Sequence, residues 1–328
     1  MPGATLAIVI VNFRTPELTL GCLASLEPEV QAVPGTAVYL VDNDSGDGSA
    51  ERIQAEIGAR GWGGWVHFQQ SGRNLGFAGG NNLALRDILA APNPPPQVLL
   101  LNSDTLVLPG CLKASLEALA ARPEVGLLSC LLCNQDGSPR NAVHKFPHPL
   151  RETCRALGLP WSLPRWFGWA NLEYVGWDRT KDAREVDWVA GAFMLVRTAV
   201  LRQVGLLSED FFFYGEDTEF CHRIRRGGWR VFHDPAGRTV HFGGGSSGST
   251  VLLDRRRQAL AWIGRLKVQR LCYGRLAAAW VRALYWAAYG VRTLVGVLAG
   301  RTGSVPHQAN RIQFSLLGSD LERESHAG

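Results

Sequence analysis

The densest group of ionisable residues follows a run of aromatic side chains, in the segment Phe211-Phe-Phe-Tyr214-Gly215-Glu216-Asp217-Thr-Glu219. Neighbouring carboxyl groups beside aromatic side chains favour a raised pKa for one of them, because burial and like-charge repulsion both oppose ionisation. A carboxyl group with a raised pKa is suited to act as a general base near neutral pH. At a helix start, Glu216, Asp217 and Glu219 are equally explained as a solvated first turn that the helix dipole favours. The residues alone leave both interpretations open.

A second candidate is the carboxyl group of Asp104, which follows the apolar run Leu99-Leu-Leu in the sequence Asn102-Ser103-Asp104. A hard divalent cation takes oxygen ligands at such a strand end and completes its coordination with diphosphate oxygens and water. Taken alone, Asp104 is better explained as a turn residue that caps a helix beginning near Pro109.

A third group of polar residues occupies three turns, Asn12-Phe13-Arg14, Asp42-Asn43-Asp44-Ser45 and the glycine-rich segment Gly76–Asn82. An Asp at the end of a parallel strand accepts hydrogen bonds from a base or ribose, and glycines before a helix let backbone N–H groups approach a phosphate. The spacing fits neither the dinucleotide-binding fingerprint nor the P-loop. Each segment alone is explained as an ordinary turn, but their common position predicts a nucleotide site.

The elements that position these groups are short apolar runs, each followed by a polar turn and a helical pattern. The strand candidates are Leu6–Val11, Val38–Val41, Trp65–Gln69 and Val98–Leu101, and the helix candidates are Thr15–Leu26, Ser49–Gly58, Asn81–Leu89 and Pro109–Ala121. Apolar strands alternating with helices predict an α/β fold whose parallel sheet is covered on both faces and binds ligands at one edge. Leu127–Leu132 and Val186–Val196 are predicted as further strands, with an irregular segment over Phe146–Asp178 between them.

A series of short segments resembles family 2 glycosyltransferases of the GT-A fold. In order they are Val-Asn-Phe, Val-Asp-Asn-Asp-Ser, Asn-Leu-Gly-Phe-Ala-Gly-Gly-Asn-Asn, Leu-Leu-Asn-Ser-Asp-Thr, Gly-Ala-Phe-Met-Leu-Val-Arg, Phe-Tyr-Gly-Glu-Asp-Thr-Glu-Phe-Cys-His-Arg-Ile and Gly-Trp-Arg-Val. The chain looks most similar to bacterial rhamnosyltransferase-type enzymes of surface polysaccharide assembly. The resemblance covers residues 5–250 and implies a GT-A catalytic domain at 1–250, with a mixed, mainly parallel central sheet. The glycine and serine run Gly243–Ser249 and the shift in composition after it predict a basic amphipathic helical extension at 251–328.

The same resemblance implies roles for individual residues. Asn12 and Asp42 would hold the base and ribose, and Asp104 would bind the metal with His241 as a further ligand. Asp217 would be the catalytic base, supported by Glu216. The implied donor-site residues are Asn12, Arg14, Asp42, Asn74, Gly76, Phe77, Gly80, Asn81, Asn102, Ser103 and Asp104, and the implied acceptor-site residues are Trp188, Gly191 and Ala192.

The implied reaction is an inverting transfer of a hexosyl group, L-rhamnose from dTDP-L-rhamnose, to a polyprenyl-linked or growing glycan acceptor. Asp217 would take the proton of the acceptor hydroxyl, and Mg²⁺ or Mn²⁺ would neutralise the departing diphosphate. Asn102 departs from the family pattern, which often has Asp there, and this puts metal dependence in question. The alternatives are a donor that is another UDP-, dTDP- or GDP-sugar, and a non-catalytic sugar-nucleotide-binding module.

The chain has a net charge of +5, and its excess of positive charge lies in residues 254–301. These residues include ten Lys and Arg residues and one Asp. A helical pattern over Leu253–Ala299 places Trp262, Leu266, Tyr273, Trp280, Leu284, Val291, Val295 and Leu298 on one face and Lys267, Arg275, Arg282 and Arg292 opposite. This pattern is typical of a helix on an anionic membrane surface, and Arg282 and Arg292 interrupt the apolar run that a spanning helix needs. A helix docked on the catalytic domain and a nucleic-acid-binding arm are the alternatives.

Composition and cysteine content bound the class of protein. With 46% hydrophobic and 19% charged residues, the chain is expected to be folded rather than disordered. Its seven cysteines are odd in number and lie in apolar stretches, unlike a disulfide framework. The N-terminal segment Met1-Pro-Gly-Ala-Thr lacks the basic region of a signal peptide. We therefore expect a cytoplasmic protein on the inner face of the cell membrane, without a nucleic-acid partner and with a homo-oligomer as a further option.

Overall fold

The computed structural model of the chain describes residues 5–159, 172–174, 176–243 and 254–319. The chain forms two compact units. A sheet unit comprises Met1–His144, Gly176–Phe212 and Phe220–Gly243, and a helical unit comprises Lys145–Val175, Phe213–Glu219 and Gly244–Gly328. The predicted boundary at residue 250 lies in 244–253, outside the described residues.

Every strand formed by the described residues belongs to the sheet unit. They are β1 (Leu6–Asn12), β2 (Thr36–Asp42), β3 (Val66–Gln70), β4 (Gln97–Asn102), β5 (Thr105–Val107), β6 (Val125–Cys133), β7 (Val143–His144), β8 (Arg184–Val186), β9 (Trp188–Val189), β10 (Phe193–Arg197) and β11 (Arg230–His241). The main sheet has the order β3-β2-β1-β4-β10-β6-β11-β5, with β8 beside β11, and β7 pairs with β9 in a small second sheet. The pairs among β1 to β4 are parallel, and β10 is antiparallel to β4 and β6, so the sheet is mixed.

The register of these strands brings predicted site residues to one edge of the sheet. Asn12 pairs with Asp42 at the ends of β1 and β2, and Asn102 pairs with Val11 at the end of β4. β1 and β4 are buried nearly throughout, because helices cover both faces of the sheet. The predicted α/β sheet, with its polar turns at one edge, is confirmed.

The helices of the described residues follow in chain order. They are α1 (Pro16–Ala32), α2 (Ser49–Ala59), α3 (Gly76–Ala90), α4 (Cys111–Ala120), α5 (Pro149–Ala156), α6 (Thr198–Val204), α7 (Glu216–Arg226), α8 (Arg255–Tyr273), α9 (Arg275–Leu298) and α10 (Val305–Gly318). The first four confirm the predicted helices, although α3 begins at Gly76 rather than Asn81 and α1 extends to Ala32. All seven cysteines lie in the described ranges, and none of them forms a disulfide.

Two predictions in the middle of the chain were wrong. Val186–Val196 is not one strand, because its parts pair with different partners: β8 with β11, β9 with β7, and β10 with β4 and β6. The segment Phe146–Asp178 is not irregular throughout, because α5 forms within it, with His148 as its N-cap and Pro149 in its first turn. Residues 160–171 of this segment lie outside the described residues.

The predicted single helical pattern over Leu253–Ala299 was also wrong. Gly274, with φ 95°, separates α8 from α9. Trp262 of α8 is buried in a core that it shares with Val281 and Tyr285 of α9, so the predicted apolar face is not one continuous surface. Arg282 and Arg292, expected on the opposite face, donate hydrogen bonds to backbone carbonyls of the same unit, at 2.9 and 2.8 Å. No helix in the described ranges is long and apolar enough to cross a membrane.

Candidate active site

The predicted base- and ribose-binding residues form one buried hydrogen-bonded group. The amide nitrogen of Asn12 donates to Asp42 Oδ1 (2.7 Å) and to Ser45 Oγ (3.1 Å). The Ser45 hydroxyl and backbone N–H donate to the two Asp42 oxygens, at 2.7 and 3.1 Å. All three side chains are almost fully buried. They fix the turn after β2 by bonding one another, which satisfies polar groups that burial would otherwise leave unpaired.

The turn after β1 presents Phe13 and Arg14 at the sheet edge, with both residues exposed. Arg14 has φ 56°, a left-handed conformation that costs a non-glycine residue about 1–3 kcal/mol. Its backbone N–H donates to Ser45 Oγ (3.0 Å) and its Nε to the Ser45 carbonyl oxygen (2.9 Å), which together hold this conformation. Strained, exposed residues of this kind are concentrated at binding sites, so the predicted place of Arg14 in a donor site is physically reasonable.

Asn43 connects the turn after β2 to the start of α3. Its amide nitrogen donates to Asn74 Oδ1 and to the Gly76 carbonyl oxygen, both at 3.1 Å. Gly76 has φ 69°, and a Cβ there would overlap the carbonyl oxygen of Phe212, so the position requires glycine. The N–H of Phe77 donates to that same oxygen at 3.1 Å. Asn43 therefore positions the glycine-rich turn, although the sequence analysis gave it no role.

Two other predicted donor-site residues, Gly80 and Asn81, are buried inside α3. Gly80 lies against Val11 of β1, and a Cβ there would come within 2.9 Å of that side chain. The Asn81 amide nitrogen donates to the Phe77 carbonyl oxygen at 2.9 Å. Gly80 therefore allows α3 to pack closely on β1, Asn81 bonds the backbone of its own helix, and Asn74 is exposed at the edge.

The predicted metal ligands lie together. Asn102 ends β4, and Ser103 and Asp104 form the turn before β5. β11 pairs with β5 and brings His241 Nε2 to 3.1 Å from Asp104 Oδ1 and 3.4 Å from the Asn102 amide nitrogen. Burial alone would raise the pKa of Asp104, but the hydrogen bond and charge of His241, with the charge of Arg140, outweigh it and lower that pKa.

This donor set fits a divalent cation that is shared with a diphosphate. Asn102 Oδ1 is buried and has no hydrogen-bond partner among the described residues, an arrangement that costs about 1–3 kcal/mol unless a donor or cation reaches it. The Asp104 carboxylate and the His241 imidazole complete three protein donors, and diphosphate oxygens and water would supply the rest. In the described ranges no group of three His, Cys, Asp or Glu side chains is placed to hold a metal ion.

Arg140 is a candidate that the sequence analysis missed. Its Nη1 donates to the His241 carbonyl oxygen at 2.9 Å, and within the described part of the chain this is the one side-chain hydrogen bond of Arg140. A Cβ on Gly243 would overlap the guanidinium group, which occupies the space that glycine leaves. A permanent cation with unused donors therefore stands beside Asp104. No motif marked Arg140, because it is a single basic residue in the segment between β6 and β7.

The predicted acceptor-site residues precede β10. The Ala192 carbonyl oxygen accepts a hydrogen bond from the Asn102 N–H at 3.1 Å, and Gly191 lies against the Phe77 ring. Trp188 lies on the small sheet, where its ring stacks on His144 with 4.5 Å between centroids. Gly191 and Ala192 are therefore next to the predicted donor-site residues of β4 and α3.

Glu216 and Asp217 form the start of α7, within the helical unit. Glu216 is buried, and its Oε2 has no hydrogen-bond partner in the described ranges. Burial, and next the charge of Asp217, raise the pKa of Glu216 to about 8. Asp217 is half-buried, and its Oδ1 accepts from the Thr218 backbone N–H at 2.7 Å. Because Glu216 and Glu219 are buried, the interpretation of this segment as a solvated first turn is wrong.

Two solved structures share this fold. A mannosyltransferase from Pyrobaculum calidifontis, in complex with GDP-Man and Mn²⁺, has a TM-score of 0.56 at 15% identity and covers 96% of this chain and 86% of its own. GalNAc-T7, with UDP, GalNAc and Mn²⁺, has a TM-score of 0.53 at 13% identity and covers 82% of this chain and 50% of its own. At these identities the likeness establishes the fold alone, and it confirms the predicted GT-A glycosyltransferase fold.

Residues 2–264 match the family described as Glycosyltransferase like family 2, and the chain belongs to this family of glycosyltransferases. A low-salt glycan biosynthesis hexosyltransferase from Haloferax volcanii is 27% identical over 221 residues, which are 67% of this chain and 62% of the relative. An N-acetylglucosaminyl-diphospho-decaprenol L-rhamnosyltransferase from Mycobacterium tuberculosis is 27% identical over 219 residues, 65% of this chain and 68% of the relative. Family membership favours an enzyme over the nucleic-acid-binding alternative.

Proposed function

We propose that this protein is an inverting glycosyltransferase that transfers L-rhamnose from dTDP-L-rhamnose to a polyprenyl-linked or growing glycan acceptor in bacterial surface polysaccharide synthesis. The observation that carries sugar transfer is the cluster of Asn102, Asp104 and His241 at the end of β4. Rhamnose and a lipid-linked acceptor are supported by the mycobacterial relative, whose name contains both. The two structural neighbours hold GDP-Man and UDP, which keeps another nucleotide sugar as the alternative donor.

In this reaction the chain supplies a base and fixed positive charge. Asp217 takes the proton of the acceptor hydroxyl while the oxygen of that hydroxyl attacks the anomeric carbon of the donor sugar. The attack comes from the face opposite the nucleoside diphosphate. The raised pKa of Glu216 favours its protonated form at neutral pH, and that form adds no second negative charge beside Asp217. Arg140 stabilises the charge that grows on the leaving diphosphate. Mg²⁺ or Mn²⁺, held by Asp104 and His241, would supply further charge neutralisation.

A thermal-unfolding screen tests the donor. A ligand that binds the folded protein raises its unfolding temperature, so purified protein is heated with UDP-, dTDP- and GDP-sugars, with and without Mn²⁺. We expect dTDP-L-rhamnose to give the largest increase, and Asp104→Ala to lose only the part that depends on Mn²⁺. A larger increase with a UDP- or GDP-sugar would replace the proposed donor, and no increase with any nucleotide sugar would contradict the function.

The proposed place of action is the cytoplasmic face of the cell membrane, and the supporting surface is one side of α9. Leu276, Trp280, Val291, Leu294 and Leu298, called the α9 stripe below, recur at helical spacing and are exposed, Leu276 by 88% and Leu298 by 79%. Exposed basic residues, Arg270 and Arg275, lie at the N-terminal end of the stripe. An apolar stripe flanked by arginines fits an anionic lipid surface, and a second copy of the chain is the other occupant to be tested.

A further inference from the structure

The turn that leads into the carboxyl pair has a strained backbone. Tyr214 has φ 70° and Gly215 has φ 100°, directly before α7 begins at Glu216. A left-handed conformation costs a bulky residue such as Tyr about 1–3 kcal/mol, and it persists only where surrounding structure imposes it. The direction in which Glu216 and Asp217 leave this turn therefore depends on what holds Tyr214.

Helix α8 holds it, at the one glycine in that helix. The Tyr214 backbone packs on Gly264 so closely that a Cβ at Gly264 would overlap the Tyr214 carbonyl oxygen and lie 2.9 Å from its carbonyl carbon. The obstructing atoms are backbone atoms, which do not rotate aside as the end of a side chain does. Any side chain at position 264 must therefore displace either the turn or the helix.

Displacing the helix is the costlier of the two, because neighbours on both sides of Gly264 fix α8 within the helical unit. Trp262 is buried, its ring lies 5.1 Å from that of Tyr285, and its indole N–H donates to Gln313. Arg265 Nε lies 3.8 Å from Glu152 Oε1, and its guanidinium lies over the Trp262 ring. The turn at Tyr214 is the part that would move.

We propose that Gly264 is a positioning residue for catalysis, which acts by seating the Tyr214 carbonyl and so fixing the direction of Glu216 and Asp217. This inference rests on the proposed role of Asp217 as the base. It makes the C-terminal helices part of the catalytic apparatus, beyond any contact that they make with a membrane. A chain truncated before α8 would lose the contact between Gly264 and the Tyr214 carbonyl group, and the alignment of the base would be lost with it.

The test is Gly264→Ala, compared with Gly290→Ala in α9. A Cβ at Gly290 would come within 2.8 Å of the Phe314 ring, so the control disturbs helix packing in the same unit without touching the turn. We expect Gly264→Ala to lower kcat about tenfold to a hundredfold, as misalignment of a catalytic group by about 1 Å does. Donor affinity should stay within about twofold. Gly290→Ala should leave kcat within about twofold of the unmodified protein.

The double variant Gly264→Ala/Asp217→Asn distinguishes failure of the Gly264 role from failure of the Asp217 role. If Gly264 acts through Asp217, Gly264→Ala should lower kcat far less in the Asp217→Asn background than in the unmodified protein. The positioning role would be overturned by any of three results. The first is that the losses of kcat in Gly264→Ala and Asp217→Asn add fully in the double variant. The second is an equal loss of kcat in Gly290→Ala, and the third is loss of the helical circular dichroism signal in Gly264→Ala alone. Undiminished turnover in Asp217→Asn by itself would instead overturn the assignment of the base.

Discussion

At the scale of single residues, Glu216 is more deeply buried than Asp217, and that burial raises the pKa of Glu216, which makes substitution of the two residues informative. Asp217→Asn removes the proposed base at nearly constant volume, so we expect turnover to fall by about 10² or more. Donor affinity should hold, because the donor residues belong to the sheet unit. Steady-state kinetics gives kcat, and isothermal titration calorimetry gives the dissociation constant of the donor.

Glu216→Gln is the matched control for that experiment, because glutamine resembles the protonated carboxyl group that Glu216 carries at neutral pH. It should retain most of the turnover. A large loss in Glu216→Gln, with activity retained in Asp217→Asn, would move the base to Glu216. A loss in neither variant would favour the non-catalytic alternative.

The raised pKa of Glu216 also predicts how the free energy of unfolding changes with pH. Its pKa of about 8 in the folded chain lies above the ordinary glutamate value, so its contribution to stability is complete below that ordinary value and is lost as pH rises towards 8. The loss is at most about 1.4 kcal/mol per pH unit. In urea titrations, the free energy of unfolding of Glu216→Gln should increase relative to that of the unmodified protein between about pH 5 and about pH 8. Above about pH 8 the difference between the two proteins should stay constant. A difference that is constant over this range would contradict the buried, protonated Glu216.

Arg140 should strengthen diphosphate binding through charge. Arg140→Met keeps much of the apolar stem and removes the cation, and a charge-assisted hydrogen bond is worth about 1.5–3 kcal/mol. We therefore expect nucleoside diphosphate affinity to fall about tenfold or more, both with Mn²⁺ and with chelator. Arg60→Met, at an exposed arginine paired with Glu56 on α2, is the control. Unchanged affinity in Arg140→Met, measured by calorimetry, would remove Arg140 from the site.

The sequence predicted some of these residues and not others, for a physical reason. Asp104 and Asp217 stand in segments whose combination is specific to a family, so their neighbourhood could be anticipated. Asn12 and Asp42 are predicted to contact the ligand, and the hydrogen bonds that join them to each other and to Ser45 in the folded chain could not be read from the sequence. A linear pattern indicates that a polar residue lies at a strand end, but it does not say which groups the fold places around that residue.

At the scale of elements, prediction was accurate where burial alone determines the structure. β1 and β4 are apolar runs inside a covered sheet, and they form where the pattern indicates. The segment Val186–Val196 is equally apolar, but three different partners divide it into three strands. Gly274 divides the C-terminal helix in the same way, because α8 and α9 bury their apolar residues against each other. Choice of partner is a tertiary property that periodicity does not contain.

The packing of α5 on α9 gives a stability prediction. The Tyr285 hydroxyl donates to Glu152 Oε2 at 2.6 Å, and Glu152 is fully buried. Tyr285→Phe leaves that oxygen without its donor, so we expect the free energy of unfolding of the helical unit to fall by about 1–3 kcal/mol. Tyr289→Phe, which removes a hydroxyl from the neighbouring ring in the same core, should change it by less than about 0.5 kcal/mol. Equal effects in urea unfolding would show that the hydrogen bond adds nothing.

At the scale of the whole molecule, the arginines of the basic C-terminal segment can stabilise the helical unit or attract an anionic membrane. The net charge of the segment does not distinguish these two roles. Arg265 contacts Glu152, and Arg282 and Arg292 donate to backbone carbonyls inside the helical unit. These arginines stabilise the fold, so the charge available to a membrane is smaller than the net +9 of residues 254–301 suggests. The proposed membrane binding therefore depends more on the α9 stripe than on the basic residues.

If the α9 stripe binds lipid as proposed, polar substitutions in it should weaken binding to vesicles. The double variant Leu276→Gln/Leu298→Gln removes two exposed apolar side chains of the α9 stripe, and burial of a leucine contributes about 1.5–3 kcal/mol, so binding to anionic vesicles should weaken at least tenfold. Leu150→Gln, at an exposed leucine of α5 outside the stripe, is the control and should sediment with vesicles of phosphatidylglycerol and phosphatidylcholine as the unmodified protein does. Equal binding by the double variant and the unmodified protein would contradict the lipid surface. If the unmodified protein ignores vesicles while sedimentation velocity shows a dimer that the double variant cannot form, the stripe joins two copies of the chain instead.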